Sequence, residues 1–173
     1  EQAIAAACTK IDITIAWQDG IQCVLLNGEN VNGYIRAEEV GIMASNTSIY
    51  PVVRTKLTAL QQKLAQTSNV IMDGRDIGTC VLPDAQVKIY LTAEVSARAK
   101  RRYDELIQKG EEADYHQIEA DIIDRDYRDM HREISPLKQA DDAILVDSSD
   151  MDIETVLSVI RTIYEKAVMK GKE

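Results

Sequence analysis

VKIYLTAEVSARAKRRYDELIQKG, residues 87–110, joins two patterns that together decide the fold class. Residues 87–92 form a short, nearly continuous apolar run, which is typical of a strand buried on both faces of a sheet. The residues that follow carry helical spacing, and Gly110 stands where a helix-terminating glycine is expected. A strand followed by a helix is the repeating unit of an α/β fold.

Two further apolar runs extend this pattern along the chain. NVIMD (69–73) precedes the strand at 87–92 and the helix after it, and AILVD (143–147) follows them. A helical pattern, MDIETVLSVIRTIYEKAV (151–168), comes after the last run. Because strands buried on both faces need helices on either side, the sequence predicts an α/β fold with a parallel sheet flanked by helices.

The N-terminal part of the chain is organised differently. IDITIAW (11–17) and IQCVLL (21–26) are separated by a glycine-bearing turn, which predicts a small antiparallel β insertion. Residues 35–48 and 50–66 follow with helical patterns. Pro51 lies in the first turn of the second helix, where its missing N–H is tolerated.

Composition favours one globular domain. The chain has 173 residues, 45% of them hydrophobic, and a formal net charge of −9. The negative charge argues against a surface for nucleic-acid backbones or anionic membranes, because those partners require an excess of Lys and Arg. We therefore expect no nucleic-acid partner and no membrane partner. A monomer is a separate expectation. Any bound anion must meet a local basic cluster.

The cysteines and the lack of targeting signals predict a cytoplasmic location. Cys8, Cys23 and Cys80 are an odd number at wide spacing, which indicates neither a disulfide framework nor a zinc site. No apolar run approaches the roughly 18 residues of a membrane span. The first residues also lack the basic-then-apolar order of a signal peptide. We expect Cys80 and Met72 in the core.

The DGRD motif at residues 73–76 is the first candidate site. In an open α/β sheet, ligands bind beyond the carboxyl ends of the strands, where this motif is expected. One interpretation is a salt-bridged turn in which Gly74 and Gly78 supply unusual backbone angles. The other is that Arg75 binds an anion while Asp76 accepts a hydrogen bond from an amino group. These residues alone leave both interpretations open.

RDYRDMHR is the second candidate site. Arg125, Arg128 and Arg132 are spaced i, i+3 and i+7, which places them on one face of a helix that Asp129 partly shares. Either neighbouring carboxylates neutralise this face, or its guanidinium groups grip a phosphate. The segment around it, 110–136, is polar and dense in charges of both signs, which predicts a solvated helix.

Other residues carry weaker signals. Arg101 and Arg102 form a basic pair on another helix, which is usually surface charge. His116 and His131 lack partners at metal-ligand spacing, so we predict surface histidines and no metal site. The phosphate-binding pattern G-x-x-x-x-G-K-[ST] is absent, as are G-x-S-x-G and G-x-G-x-x-G.

Four segments together resemble the bacterial cytidylate kinase family, P-loop nucleoside monophosphate kinases that phosphorylate CMP and dCMP from ATP. They are VIMDGRDIGTCVLPDAQVKIYLTA (70–93), RAKRRYDE (98–105), RDYRDMHREISPL (125–137) and ADDAILVDSS (140–149). The segments occur in the family's order, and the resemblance extends over essentially the whole chain. DGRD-x-GT and R-D-x-x-D-x-x-R are specific motifs.

The resemblance implies a P-loop-type kinase domain over 1–173. Residues 10–45 would form the NMP-binding insertion, residues 46–173 the core, and residues 110–136 a helical lid. The family begins with a strand, a phosphate-binding loop and a second strand, and these have no counterpart in the sequence. We expect that this segment belongs to the protein but is not represented in the sequence.

The resemblance also implies roles for residues that match the family's motifs. Ser45, Arg54 and Asp76 would contact the cytosine ring, where a carboxylate beside the exocyclic amine selects CMP over UMP. Arg125 and Asp129 would hold the sugar hydroxyls.

The remaining roles concern the phosphates and ATP. Arg75 and Arg132 resemble the arginines that clamp the phosphates, and Arg101 resembles a lid arginine near ATP. Mg²⁺ would enter with ATP as the substrate complex. Asp73 would either hold Mg²⁺ through water or orient Arg75, and the loop at 146–152 would border the adenine.

Two alternatives stay open. One is a catalytically silent fragment that binds CMP but lacks the phosphate loop needed to bind ATP productively. The other is a monophosphate kinase of different specificity, such as UMP/CMP.

Overall fold

The computed structural model describes residues 2–170, and the side chains of Glu38, Ser45 and Lys170 lie outside that description. The chain divides into two compact units, with the boundary between Ile71 and Met72. The elements follow one another in the order α1 (Gln2–Lys10), β1 (Ile13–Gln18), β2 (Ile21–Leu26), β3 (Glu29–Asn30), α2 (Glu38–Thr47), α3 (Pro51–Thr67), β4 (Ile89–Thr92), α4 (Val95–Gln108), α5 (Tyr115–His131), β5 (Ile144–Asp147) and α6 (Ile153–Lys170).

The first unit contains a three-stranded antiparallel sheet in the order β1-β2-β3. Strand β1 pairs with β2 from Ile13↔Leu26 to Gln18↔Ile21. Asp19 and Gly20 join these strands, and both have positive φ angles (51° and 78°). A hairpin turn with two positive φ angles matches the twist of the strands that it connects. The predicted hairpin is therefore confirmed.

Helix α3 packs beside α1 in the same unit. Pro51 occupies the first helical turn of α3, as predicted. The Lys56 ammonium donates hydrogen bonds to the carbonyl groups of Cys8 and Ile11. A lysine at this place satisfies carbonyl oxygens that a helix end leaves without intrahelical partners.

The second unit contains the predicted parallel pairing. Strands β4 and β5 pair in parallel, from Ile89↔Ile144 to Thr92↔Asp147. Helix α4 follows β4, and α6 follows β5. Gly110, with φ of 76°, lies just after α4 as the predicted terminating glycine. These findings confirm the α/β class with a separate small antiparallel sheet.

The predicted strand at 69–73 was wrong. These residues have no regular structure, and Ile71 is fully exposed. An apolar run becomes a strand only where a neighbouring backbone pairs with it, and no described residue pairs with this one.

The expectation that both faces of the parallel sheet are buried was also wrong. Leu91, Ile144 and Leu145 are 52%, 48% and 56% exposed. The physical reason is that the faces of a sheet are buried by helices that pack over them, and among the described residues no helix packs closely on β4 or β5.

The core of the second unit consists mainly of small residues. Val81, Ala93, Ala99 and Val146 are buried there. Cys80, predicted to lie in the core, is exposed because the next residue of the same helical turn, Val81, takes the buried position.

Met72, also predicted in the core, is half-buried. Cys8, Cys23 and Cys80 are free thiols, as predicted. None of the helices among the described residues has both the length and the hydropathy of a membrane span.

Candidate functional site

The DGRD motif leads into a single π-helical turn, Ile77–Val81. The Asp76 carbonyl accepts hydrogen bonds from the backbone N–H groups of Cys80 (2.8 Å) and Val81 (3.2 Å). The bond to Val81 spans five residues, which is the spacing of a π-helix. Isolated turns of this kind are frequent at functional sites, and this one fixes the backbone next to Arg75 and Asp76.

Gly74 is required here for space rather than for backbone angles. Neither Gly74 nor Gly78 has a positive φ angle, so the interpretation that they supply unusual backbone angles was wrong. A Cβ atom at position 74 would lie 2.9 Å from Cγ1 of Ile77 and 3.2 Å from its Cδ1. Because Ile77 begins the π-helical turn, a side chain at position 74 would press directly on that turn.

We expect Gly74→Ala to lower the free energy of unfolding by about 1–2 kcal/mol, the usual cost of overpacking by a methyl group. A protein of this size then melts about 2–8 °C lower. Gly41→Ala is the control: a Cβ at position 41 meets nothing within 4 Å, and alanine favours the α2 helix, so this variant should not melt below the wild type. Thermal unfolding of both variants tests this. A Gly74→Ala variant that melts with the wild type would contradict the steric role of Gly74.

Asp129 on α5 is the carboxylate around which three arginines gather. Its Oδ2 lies 2.8 Å from Nε of Arg75 and 4.0 Å from Nε of Arg125, and its Oδ1 lies 3.9 Å from Nη1 of Arg132. Of these distances, the one to Arg75 is a hydrogen bond, and the other two are longer ion pairs. The Asp129 side chain is only 17% exposed, so solvent screens these charges incompletely. The structure thus brings residues of both predicted motifs together.

The prediction that Arg132 shares one helical face with Arg125 and Arg128 was wrong. Helix α5 ends at His131, and Arg132 is the extended residue that follows it. Its Nε donates to the Ser135 carbonyl at 2.6 Å. The Leu137 N–H donates to the Asp129 carbonyl at 2.7 Å, so the chain folds back over the end of α5. Arg132 reaches Asp129 from this turn and not from a continuous helical face.

Arg128 is the member of the predicted arginine face that does not join the cluster. It is exposed, and its Nε donates to the Asp124 carbonyl on the same helix at 3.3 Å. Arg75, from the other motif, supplies the third guanidinium group at Asp129 instead.

Arg101 on α4 holds the loop that follows β5. Its guanidinium group donates to the carbonyls of Ser148 and Met151, the latter at 3.1 Å, and lies 3.4 Å from the Ser148 hydroxyl. Ser148 is itself buried, and its hydroxyl donates to the Thr92 carbonyl at 3.0 Å. Arg101 therefore orders the loop predicted to border the adenine.

Two carboxylates brace the same loop. Asp147 accepts hydrogen bonds from the hydroxyl (2.6 Å) and the N–H (2.9 Å) of Ser149, and these bonds lower the pKa of Asp147. Asp152 accepts from the N–H of Thr155 at 2.8 Å, and its hydrogen bonds with Thr155 lower the pKa of Asp152. Both carboxylates are thus favoured in the charged form.

The residues predicted to contact a cytosine ring lie in different parts of the chain. Asp76 is in the second unit, next to the π-helical turn. Arg54 lies in α3 of the first unit, where its Nη1 is 3.5 Å from the Ser48 carbonyl. Ser45 is in α2, and its side chain lies outside the described residues. Their common role stays a prediction.

The predictions about metal sites concern histidines and Asp73. His116 and His131 are exposed, as predicted, and Nδ1 of His131 contacts the Tyr127 carbonyl at 2.8 Å. Asp73 is exposed too. Within residues 2–170, no group of three or more His, Cys, Asp or Glu side chains could hold a metal ion.

Lys88 is a structural residue that sequence reasoning missed. Its side chain is 8% exposed, and its ammonium donates to both carboxylate oxygens of Asp142 at 2.8 Å and to the Pro83 carbonyl. The hydrogen bond from Lys88 lowers the pKa of Asp142. The Lys88 stem also lies against Gly78, so this residue supports the turn after the DGRD motif. Its only sequence signal is a lysine inside an apolar strand.

Comparisons with known proteins connect this geometry to a family. The family model described as cytidylate kinase matches residues 1–166. This chain belongs to the cytidylate kinase family. A cytidylate kinase of Caldicellulosiruptor saccharolyticus is 50% identical over 96% of this chain and 74% of the relative. One from Actinobacillus succinogenes is 46% identical over 91% of this chain and 70% of the relative.

Membership of the cytidylate kinase family confirms the resemblance seen in the DGRD and RDYRDMHR segments. The chain is accordingly a kinase, a phosphotransferase for which ATP is the donor. A cytidylate kinase of Geobacter, 43% identical over 99% of this chain and 74% of its own length, extends the match along the whole sequence.

Proposed function

We propose that this kinase transfers the terminal phosphoryl group of ATP to CMP or dCMP, giving CDP or dCDP. The observation that carries the proposal is the cluster of Arg75, Arg125 and Arg132 around Asp129, in a chain that belongs to the cytidylate kinase family. Family membership favours an active kinase over a silent CMP-binding fragment.

The arginines suit phosphoryl transfer. In that reaction the protein positions two nucleotides in line and neutralises charge on the transferred group. A guanidinium fork can grip a phosphate through two parallel hydrogen bonds. Arg75 and Arg132 take this role at the phosphates, and residues 110–136 form the lid that excludes water.

Mg²⁺ enters as the ATP complex and neutralises charge on the donor phosphates. Two roles for Asp73 stay open: a water-mediated contact with the ion and the orientation of Arg75, which Asp129 also contacts at 2.8 Å.

The acceptor nucleotide makes the remaining contacts. Arg125 and Asp129 hold the sugar hydroxyls, because an aspartate accepts from a hydroxyl and an arginine donates to it. When the nucleotide binds, Asp129 exchanges its bond with Arg75 for a sugar hydroxyl, and Arg75 turns to the phosphate. Ser45, Arg54 and Asp76 contact the cytosine ring.

We expect Asp76→Asn to lower kcat/KM for CMP about 10- to 100-fold, because a charge-assisted hydrogen bond to the exocyclic amine is lost. The ratio of kcat/KM for CMP over UMP falls with it, since the uracil carbonyl no longer meets a carboxylate. A coupled assay with each nucleotide measures both changes. Asp73→Asn, in the same motif, is the control and retains the preference for CMP. An unchanged preference in Asp76→Asn would refute the role of this carboxylate.

The cellular setting completes the proposal. The free thiols of Cys8, Cys23 and Cys80 are compatible with a reducing cytoplasm.

We also propose a monomer in which residues 10–45 are the NMP-binding insertion. Size-exclusion chromatography with light scattering tests the oligomeric state.

A further inference from the structure

Arg98 on α4 belongs to neither predicted motif site, yet it contacts the helix that carries Arg125 and Asp129. We propose that Arg98 is a positioning residue: its ion pair with Asp126 sets the place of α5, and thereby of the groups that hold the acceptor sugar. The inference rests on the proposed function of Arg125 and Asp129.

The contacts of Arg98 join three elements. Its Nη2 lies 2.6 Å from Oδ2 of Asp126 on α5, and its Nε donates to the Ala93 carbonyl at 3.0 Å. Ala93 is buried and directly follows β4. The side chains of Arg98 and Asp126 are 34% and 19% exposed, so the pair is partly shielded from solvent. One guanidinium group thus connects the end of a sheet strand, α4 and α5.

The place of Asp126 within α5 makes this connection relevant to the site. Asp126 directly follows Arg125 and precedes Asp129 by three residues. Residues spaced i and i+3 are neighbours on a helix surface, so a displacement at Asp126 carries Asp129 with it. A misplacement of about 1 Å can reduce an enzymatic rate about 100-fold.

Other ion pairs on α4 do not reach α5. Lys100 pairs with Asp104 at 2.5 Å and Arg102 with Glu105 at 3.0 Å, both within the helix and with exposed side chains. In the part of the chain that the structure describes, Arg98–Asp126 is the salt bridge that crosses from α4 to α5.

The N-terminal end of α5 has a separate attachment to α4. The rings of Tyr103 and Tyr115 meet edge to face with centroids 6.3 Å apart. The Tyr115 hydroxyl also lies 3.5 Å from the Ser96 carbonyl. Loss of the ion pair therefore leaves α5 attached at its first turn and removes the contact that fixes the helix to α4 just before Asp129.

The test is the steady-state kinetics of Asp126→Asn with CMP and with ATP varied separately. We expect KM for CMP to rise about tenfold, while KM for ATP changes less than about twofold because α4 and its contacts with the 148–151 loop are intact. Asp126→Glu restores the charge and most of the affinity. Lys100→Met, which removes an ion pair within α4, is the control and leaves both KM values unchanged. An unchanged KM for CMP in Asp126→Asn, or equal rises for CMP and ATP, overturns the proposal.

A double-mutant cycle with Asp129→Asn separates this inference from the proposed function. If Asp126 acts through Asp129, Asp126→Asn raises KM for CMP less than about twofold in the Asp129→Asn background. Effects that simply multiply overturn the positioning role and leave the function of Asp129 intact. If Asp129→Asn alone leaves KM for CMP unchanged, the sugar-binding role of Asp129 is wrong, and the positioning role falls with it.

Discussion

Arg75→Ala should lower kcat about 100- to 1,000-fold, the usual loss when a preorganised group that stabilises transition-state charge is removed. Arg75 is 44% exposed and is bonded to Asp129 at 2.8 Å, so its guanidinium group can turn toward a phosphate once Asp129 binds the sugar. An interaction that strengthens in the transition state lowers kcat more than it raises KM. The measurement is kcat at saturating CMP and ATP in a coupled assay.

Two variants control for charge and for general effects of arginine loss. Arg75→Lys keeps the charge but lacks the bidentate fork, so we expect it to recover only about tenfold of the lost activity. Arg128→Ala removes an exposed arginine of α5 whose Nε donates to the Asp124 carbonyl of its own helix, and it should retain wild-type kcat. A kcat for Arg75→Ala within fivefold of the wild type would exclude a role at the transferred phosphate.

Asp129→Ala should lower kcat/KM for CMP about 100-fold and the free energy of unfolding by about 1–3 kcal/mol, the cost of losing hydrogen bonds to a charged group. The substitution removes the proposed sugar acceptor. It also leaves the guanidinium groups of Arg75, Arg125 and Arg132 without their shared carboxylate, so they repel one another.

Calorimetric titration with CMP and thermal unfolding separate the two effects of Asp129→Ala. Asp124→Ala, an exposed carboxylate on the same helix, is the control and should change neither measurement. High salt should restore part of the stability of Asp129→Ala, because salt screens repulsion between partly exposed arginines. A variant that loses stability but binds CMP normally would show that Asp129 serves the fold and not the substrate.

Features of the fold that depend on neighbours in sequence were predictable. The hairpin, Pro51 at the start of α3, Gly110 after α4 and the helical segment after it all follow from local turn, capping and periodicity rules. The two apolar runs that pair as β4 and β5 were also found, because short runs of apolar residues favour strands.

The wrong predictions concern residues whose local sequence pattern indicates one environment and whose tertiary structure gives another. Residues 69–73 have the composition of a strand but no paired backbone among the described residues. Cys80 has an apolar neighbourhood in sequence, yet its place in the π-helical turn exposes it. Arg132 continues the helical spacing of its motif, but the helix ends one residue earlier. In each case periodicity alone does not say where hydrogen bonding begins or stops.

By itself, the sequence determined the α/β class, the kinase family and the identity of the residues in the DGRD and RDYRDMHR motifs, because these depend on residue type and spacing along the chain. Only the tertiary structure decided that Arg75 meets Asp129, that Arg98 meets Asp126 and that Lys88 meets Asp142. Each pair joins residues far apart in sequence, and an ion pair depends on the distance between charges in space, which spacing along the chain does not encode.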